Sequence, residues 1–501
     1  MATDISGLLQ DSVDVTDNGH LETSPMTLPK VIASVARLKE LVKGDRTITA
    51  HGQRHSQGGQ SLRDDAVAVD LDLLQGVAIN GDARYSEPHV VVDAGATWDR
   101  LHRKLHQYGK VTGNRHLAPV THQSSPYFSI GGSLAVNCHG RDPRHGPLSE
   151  SVLSLKVLKA DGTPEDLVRD PHGSPLMAMI LGGYGAGGLI LSATLKLKPE
   201  CILDLEYSKP IPIKNYCRRV KEFMDEPHQT AVLHHYAWLS CGEGDDLLTK
   251  AVSVESVKLD DDVPDPHDRV KRLHPMYDDD LSDEGLLDDD MLSAIYHRYR
   301  QLTPSAIGAR WAGLVAQIRL ASQGPMRQLN AMRSPVRFTQ SLPYLVGSET
   351  WVDLMQEYFV PPTHLQSFIQ GAKALIEAAQ NDKTLKLLTC TARALQADTT
   401  TLLSYAREGT RCSVVINFSA PLALARRFEE DGNKLTGVMR DLIDLAYGFG
   451  GSFYPCYGRF ATPEQFKRAF GEGHVQSAID LRAQMDPHKK FTNKFLDFYL
   501  P

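Results

Sequence analysis

HGQRHSQGG, residues 51–59, is the stretch that decides the fold, and it directly follows the β-rich run RTITA at 46–50. Glycine has no Cβ, so its backbone can approach a phosphate or pyrophosphate closely. Two more glycine-rich stretches follow, SIGGSLAVNCHGRDPRHGP (129–147) and LGGYGAGGLI (181–190). Three such loops at strand ends favour a nucleotide-binding cradle over unrelated turns.

Other kinds of site fit these loops less well. His51 and His55 would share a helix face, but the neighbouring glycines disfavour a helix, and no further ligand completes a metal set. We therefore predict no metal site. The sequence has no Gly-Lys-Ser/Thr of a Walker loop and no Gly-x-Ser-x-Gly of a hydrolase. GYGAGG resembles a dinucleotide fingerprint, but it precedes a strand, so a Rossmann fold is not expected.

The composition is that of a globular protein large enough for two domains. The chain has 501 residues, of which 42% are hydrophobic and 23% charged. Its net charge of −7 argues against a nucleic-acid partner. We expect no membrane-spanning helix, because no apolar run approaches the length required. Seven scattered cysteines without a CxxC motif are typical of reduced thiols, and the N-terminus lacks signal-peptide features, so a cytoplasmic location is expected.

Hydrophobic periodicity predicts alternating short strands and helices. Helices are expected within 29–44, 98–109, 363–379 and 422–447, and strands within 66–74, 89–97, 151–163, 187–199, 351–361 and 411–421. The strand at 151–163 closes on Asp-Gly, a hairpin-turn signal. Residues 1–27 are polar and are expected to form a flexible lead-in. The acidic stretch 258–291 is interpreted as a solvated insertion.

Several of these segments together resemble a known family. AHGQRHSQGGQS (50–61), SIGGSLAVNCHG (129–140), GPLSESVLSLKVLKADG (146–162) and LGGYGAGGLILSATLKLKP (181–199) resemble the FAD-binding domain of the vanillyl-alcohol oxidase/p-cresol methylhydroxylase flavoproteins. MQEYFVPPTHLQSFI (355–369), FYPCYGRFATPEQF (453–466) and MDPHKKFTNKF (485–495) resemble its sugar-oxidising members, such as alditol oxidase, aldonolactone oxidases and decaprenylphosphoryl-ribose oxidase. The resemblance covers about 28–200 and 340–501.

The resemblance implies an α+β, two-domain flavoprotein. Residues 28–200 would form the FAD-binding domain, with two small sheets and helices. Residues 201–450 would form a substrate or cap domain, with an antiparallel sheet flanked by helices and the acidic insertion. Residues 451–501 would return to pack on the FAD domain.

The resemblance also implies FAD as the cofactor, held by a single covalent bond from His55 to the 8α-methyl group of the flavin. Some relatives attach FAD twice through an additional cysteine, but this chain has Ser125 near that place. The loop around His55 would wrap the FAD pyrophosphate, whereas the later stretches would line the flavin. The implied cofactor-binding residues are Gly52, Gln53, Arg54, His55, Ser56, Gln57, Gly58, Ser129, Ile130, Gly131, Gly132, Asn137, Cys138, His139, Gly140, Leu189, Ile190 and Tyr454.

Candidate catalytic residues come from the second half. Alternation along 351–361 puts Gln356 and Tyr358 on one face and Glu357 on the other, and the resemblance favours the first two as the pair facing the flavin. Tyr457 stands where the sugar-oxidising relatives place a lysine. This departure leaves Tyr457, Tyr358 or a histidine as the proton acceptor. Arg393 is the candidate for orienting hydroxyls or a carboxylate of the substrate.

The function implied is transfer of a hydride from the CH–OH group of a polyol, sugar or related small molecule to flavin N5. Either O2 or another acceptor would reoxidise the flavin, and Cys138 beside the ring would influence access of oxygen. Two alternatives stay open at this stage. One is an oxidase or cyclase acting on an amine or phenol, and the other is a flavin-binding protein without catalytic activity.

Overall fold

The computed structural model describes residues 9–16, 23–29, 35–112, 116–170, 173–228, 231–259, 302–322, 324–328 and 351–501. Within these ranges the strands form three sheets of four, six and nine strands. The predicted α+β fold, with two small sheets and a larger antiparallel sheet flanked by helices, is confirmed.

The four-stranded sheet brings the glycine-rich loop to the end of a buried strand. In spatial order its strands are Leu9–Thr16, Thr23–Pro29, Val67–Asp70 and Ile48–His51. The last two are parallel and in register from Ile48↔Val67 to His51↔Asp70. Their β-branched residues suit a buried, pleated surface. The loop therefore leaves the sheet at His51.

The N-terminal part differs from the flexible lead-in expected for residues 1–27. Leu9–Thr16 and Thr23–Pro29 pair antiparallel, and Thr27 joins the second strand to Val67. Met26 is fully buried. Backbone pairing at a sheet edge requires few apolar side chains, which is why a polar sequence concealed these strands.

The six-stranded sheet completes the first domain. In order its strands are Val77–Ile79, His89–Asp93, Leu189–Pro199, Val152–Leu158 and Pro164–Val168, with Leu117–Pro119 also pairing with Leu189–Pro199. Val152–Leu158 and Pro164–Val168 form the predicted hairpin, since Leu158 pairs with Pro164 across the turn. Gly162 adopts a left-handed φ of 77° in that turn, as the Asp-Gly pair predicts.

The nine-stranded sheet belongs to the second domain. In order its strands are Gly324–Arg327, Ile202–Tyr207, Lys250–Lys258, Val232–Leu239, Lys386–Leu395, Arg411–Pro421, Trp351–Val360 and Ser452–Phe453, with Ile211–Pro212 pairing with Lys250–Lys258. All of these pairings are antiparallel. One face of the sheet is covered by helices, as the ring contact between Tyr358 and Phe368 shows. The opposite face meets the first domain.

Helices cover the remaining faces of the sheets. Their bounds are Val35–Lys43, Trp98–Thr112, Ile130–Ala135, Pro175–Ile180, Ile213–Asp225, Pro304–Ser322, Leu365–Asn381, Leu422–Ala425, Lys434–Gly448, Pro463–Phe470, Glu472–Met485 and Lys494–Tyr499. Short 3₁₀ turns lie at Leu148–Ser151, Gly244–Asp246, Pro362–His364 and Pro455–Tyr457. No helix in the described ranges is long and apolar enough to cross a membrane.

The helix predicted over 422–447 differs from the observed structure. The single helix expected over 422–447 is two helices, because Asn433 caps a new helix by accepting a hydrogen bond from the Thr436 backbone N–H at 3.1 Å. The acidic insertion lies almost wholly outside the described residues.

Each domain has its own hydrophobic core. One core cluster spans buried residues from Leu38 to Leu197 and adds Phe491, whereas the other runs from Met179 to Leu500. The C-terminal segment links the two, since the Ile48 backbone N–H donates to the Lys490 carbonyl at 2.7 Å and the Lys494 N–H to the Leu62 carbonyl at 2.7 Å. The chain end is thereby fastened beside the glycine-rich loop.

Candidate flavin site and active site

The glycine-rich loop packs against the start of the helix Ile130–Ala135. A Cβ on Gly52 would collide with the Ser129 hydroxyl, so only glycine allows this approach. Arg54 has a left-handed φ of 55° and pairs with Asp70 at 3.1 Å. Gln53 donates to Asp72 at 2.7 Å. The loop is therefore held in shape by its own sheet.

Several polar groups of this loop have no protein partner. Among the described residues, no backbone N–H between residues 53 and 57 donates a hydrogen bond. The Nδ1 atom of His55 and the Oε1 atom of Gln57 are buried and also lack partners. Buried polar groups are nearly always satisfied, so these groups are suited to a ligand rich in oxygen and ring nitrogen atoms. The residues present fit FAD.

His55 packs against an aromatic ring and is held in its neutral form. Its ring centroid lies 4.8 Å from that of Phe128. Burial lowers the pKa of His55 to about 4, so the imidazole is neutral near pH 7 and one nitrogen has a free electron pair. Ser56 shares a hydrogen bond with Ser61 at 2.6 Å, and the Gly58 N–H donates to Gln60 at 2.9 Å.

The second glycine-rich stretch uses its own amides differently. Ser129 caps the helix Ile130–Ala135 by accepting from the Gly132 N–H at 3.3 Å. The N–H groups of Ile130 and Gly131 donate to the carbonyls of Ala96 and Ala94, each at 2.8 Å. A Cβ on Gly131 would approach Ala94 too closely. The first turn of this helix is thus satisfied within the protein.

Asn137 fixes the turn that follows this helix. It has a left-handed φ of 50°. Its Nδ2 donates to Asp398 at 2.9 Å, and its Oδ1 accepts from the Ser149 N–H at 2.9 Å. The Tyr405 hydroxyl donates to the Asn137 carbonyl at 2.6 Å. A loop of the second domain therefore sets the direction of the next residues, Cys138 to Gly140.

His139, two residues later, forms a buried hydrogen bond across the domains. Its Nε2 lies 2.7 Å from Oε1 of Glu357, and both side chains are almost fully buried. Ser413 donates a short hydrogen bond to the same carboxylate oxygen. The Tyr457 hydroxyl donates to Oε2 of Glu357 at 3.4 Å. Tyr457 is only partly buried, whereas Glu357 is almost fully buried.

The contacts of Glu357 and Tyr457 determine the charge state of each side chain. Burial acts to raise the pKa of Glu357, but His139, Arg393 and Ser413 outweigh it and hold the pKa below its ordinary value. Burial and the Glu357 carboxylate raise the pKa of Tyr457 well above 10. Glu357 is accordingly a carboxylate and Tyr457 a neutral hydroxyl at neutral pH.

The expected orientation of the strand Trp351–Val360 is wrong. Tyr358 points to the helix layer, where its ring centroid lies 5.7 Å from that of Phe368. Gln356 shares that face of the strand and is 1% exposed, with both amide atoms unpartnered among the described residues. Glu357, assigned to the other face, meets the first domain. Both faces of this strand are buried, so no difference in polarity between them could show from the sequence which face lies toward the site.

The remaining predicted residues lie at or near the boundary between the two domains. Tyr454 donates from its hydroxyl to the Val136 carbonyl at 2.9 Å. Cys138 is buried, which raises the pKa of its thiol to about 12. Arg393 acts electrostatically on Cys138, Glu357 and Tyr457. Leu189 and Ile190 lie buried at the start of Leu189–Pro199, and Gly140 approaches the His122 backbone.

No group of three or more His, Cys, Asp or Glu side chains suited to a metal occurs in the part of the chain that the structure describes. His51, which had no predicted role, is buried at the strand end, and burial lowers its pKa to about 4.

Comparison with known proteins supports the predicted cofactor-binding domain. Residues 27–167 match the model of the FAD binding domain. Over these residues the chain is similar to an FAD-binding domain. The predicted resemblance to the vanillyl-alcohol oxidase/p-cresol methylhydroxylase flavoproteins is confirmed.

Curated relatives align with about a third of the chain. D-arabinono-1,4-lactone oxidase of Eremothecium gossypii is 30% identical over 181 residues, which is 36% of this chain and 32% of that protein. Decaprenylphosphoryl-β-D-ribose oxidase of Mycolicibacterium smegmatis is 27% identical over 34% of each chain. Cytokinin dehydrogenase 1 of Arabidopsis thaliana is 27% identical over 30% of this chain and 25% of that protein. The chain thus aligns with only about a quarter to a third of the length of these relatives.

Solved structures share the fold over the whole chain. A mutant of cholesterol oxidase from Brevibacterium sterolicum has a TM-score of 0.70 at 14% identity, covering 100% of this chain and 99% of that one. A solvent-stable cholesterol oxidase has a TM-score of 0.67 at 16% identity, covering 99% of each chain. At this identity the likeness concerns the fold alone.

Three residues that contact Asn137 or Glu357 at the boundary between the domains were not predicted from the sequence. Asp398, Tyr405 and Ser413 contact Asn137 or Glu357, but they are far from both along the chain. For Ser413, the only sequence indication was its place in the predicted strand 411–421.

Proposed function

We propose that this chain is an FAD-dependent oxidoreductase that takes a hydride from the CH–OH carbon of a polyol, sugar or related hydroxylated small molecule. The observation that carries the proposal is the series Tyr457, Glu357 and His139, which reaches from the domain boundary into the FAD-domain turn. The relatives named for a lactone and for a phosphoryl-ribose support the substrate class.

The loop 52–59 would hold the cofactor. Its unpaired backbone N–H groups would contact the pyrophosphate. The partly buried His55 would hold the flavin through one covalent bond to the 8α-methyl carbon in place of a C–H bond, with the proton released and the two electrons passed through the flavin to O2 or another acceptor. When bound, FAD would accept the hydride and pass the electrons to O2 or another acceptor. The neutral imidazole of His55 is the form required of the attacking nitrogen.

The second domain would handle the hydroxyl proton. Tyr457 is neutral, and its raised pKa makes it a poor base alone. As the substrate hydroxyl transfers its proton to the Tyr457 oxygen, the Tyr457 proton would pass to Oε2 of Glu357. His139 and Ser413 hold the other carboxylate oxygen and position it. This pair would replace the lysine found at the position of Tyr457 in sugar-oxidising relatives.

Anaerobic mixing of the holoprotein with alditols, aldoses, lactones and amino alcohols tests the reaction, with loss of flavin absorbance near 450 nm as a general flavin property. At least one hydroxylated compound should bleach the flavin. Tyr457→Phe should slow that step by about 10²-fold or more, as loss of a general acid–base group does. Bleaching by amines but by no alcohol would transfer the assignment to an amine donor, which the cytokinin dehydrogenase relatives make the second candidate.

Acid precipitation tests the covalent bond separately. A yellow pellet is expected from the unmodified chain, and His55→Ala should release all FAD to the supernatant. His51→Ala is the matched control, because His51 is a histidine four residues away, at the end of the strand Ile48–His51. A colourless pellet from the unmodified chain would rule out attachment at His55.

A further inference from the structure

Two arginines from different domains lie at the face of the nine-stranded sheet that carries Glu357. Arg141 is buried, and its guanidinium carbon lies 4.2 Å from the centroid of the Tyr236 ring. Tyr236 precedes Ala237, which pairs with Ala392, the neighbour of Arg393. The register therefore places Tyr236 and Arg393 side by side on one face of the sheet.

That face is the one which meets the first domain. Arg393 pairs with Ser413 in the ladder, and the Ser413 hydroxyl contacts Glu357. Residues directly opposite in antiparallel strands point to the same side. Burial lowers the pKa of Arg141, and the nearby charge of Arg393 lowers it further.

The nearby carboxylates already have partners. Asp142 accepts from Arg144 at 2.6 and 2.8 Å and from Lys198 at 3.2 Å. Glu357 accepts from His139, Ser413 and Tyr457. The buried Nε of Arg393 has no hydrogen-bond partner in the described part of the chain. Adjacent cations in a poorly solvated space favour an anion between them.

We propose that the substrate is a hydroxylated carboxylic acid whose carboxylate binds Arg393, with Arg141 adding charge from the opposite domain. The planar guanidinium of Arg393 presents paired N–H donors that match a carboxylate. The same substrate would direct its CH–OH group to Tyr457, on which Arg393 acts electrostatically. The inference rests on the proposed function and narrows its substrate class.

Titration of the oxidised holoprotein tests this without requiring turnover. The probes are two matched pairs, gluconate against glucitol and glycerate against glycerol, and the readout is the perturbation of the flavin absorption spectrum. The acid of at least one pair should bind about tenfold or more tightly than its neutral partner, as expected for a charge-assisted hydrogen bond. Arg393→Gln should abolish that preference, and Arg393→Lys should restore part of it.

Arg468→Gln is the control, since Arg468 is an exposed cation paired with Asp444 on the surface. It should leave the preference unchanged. Equal affinities within both pairs, no spectral response to any probe, or an acid preference that survives Arg393→Gln would overturn the proposal. Binding of an acid without flavin reduction by any compound would instead count against the proposed oxidation, so the two failures are distinguishable.

Discussion

The glycine-rich loop and the inter-domain cluster differ in how they satisfy buried polar atoms. In the loop, His55 and Gln57 keep buried atoms without partners, and consecutive backbone N–H groups donate to nothing among the described residues. In the cluster, Asp398 and Glu357 each accept several hydrogen bonds. The loop is therefore suited to a ligand, whereas the polar groups of the cluster are satisfied within the protein. Changes in the first should act through cofactor loading, and changes in the second should act even at full loading.

Glu357→Gln should have the largest effect on activity. The amide keeps the side-chain volume but removes the charge that accepts the Tyr457 proton and pairs with His139. Substrate-dependent flavin reduction should fall about 10²–10⁴-fold, as expected for loss of a general base. Stopped-flow reduction at saturating substrate measures this, with flavin content determined in parallel. Unchanged reduction rates at full loading would remove Glu357 from the mechanism.

The pH profile of the same reaction provides a second readout. Because the pKa of Glu357 is depressed in the folded chain, its carboxylate and the stability it adds are present above about pH 4.5. They are lost only as the pH falls through the lower folded value. The rate should thus show no decline from Glu357 between neutral pH and pH 5, provided that the protein stays folded.

Asp398→Ala should cause the next largest effect, mainly on stability. It leaves Nδ2 of Asn137 and the Thr401 hydroxyl without their acceptor in a buried position. Each unsatisfied group costs about 1–3 kcal/mol, so a loss of about 2–6 kcal/mol in unfolding free energy is expected for the two groups. Thermal or urea denaturation of FAD-loaded protein measures it. Asp398→Asn, which keeps one acceptor oxygen, should lose less, and an equal loss in both would show that the hydrogen bonds are not the cause.

Gly52→Ala should act chiefly on cofactor loading. The added methyl would collide with Ser129 and push the loop from the helix Ile130–Ala135, at a cost of about 1–3 kcal/mol for overpacking. The measurement is the ratio of bound FAD to protein after purification. Gly473→Ala is the control, since a Cβ there meets nothing within 4 Å. Equal loading of both variants would show that the loop tolerates the displacement.

The sequence predicted local structure well and the assembly of the cluster poorly. The hairpin at Asp161-Gly162 follows from turn chemistry, and the strand Arg411–Pro421 from its apolar run. By contrast, His139 and Glu357 are 218 positions apart, and no local pattern joins them. The split of the second-domain helix had a local sign in Asn433, a good capping residue after Asp-Gly, which the apolar periodicity obscured.

Gln356→Met is the smallest expected effect and the sharpest test of which strand face forms the site. Gln356 is adjacent to Glu357 but points to the helix layer, where both of its buried amide atoms lack partners in the described residues. Methionine has a similar volume and removes that desolvation cost, so unfolding free energy should stay equal or rise by about 1 kcal/mol. The rate of flavin reduction should change less than about twofold, because no group of the proton path is altered. Glu357→Gln and Gln356→Met thus change two neighbouring residues, and activity should be lost in the first variant and kept in the second. A large loss of activity in Gln356→Met at full FAD loading would support the orientation that the resemblance favours, and would place the proton acceptor on the other side of the sheet.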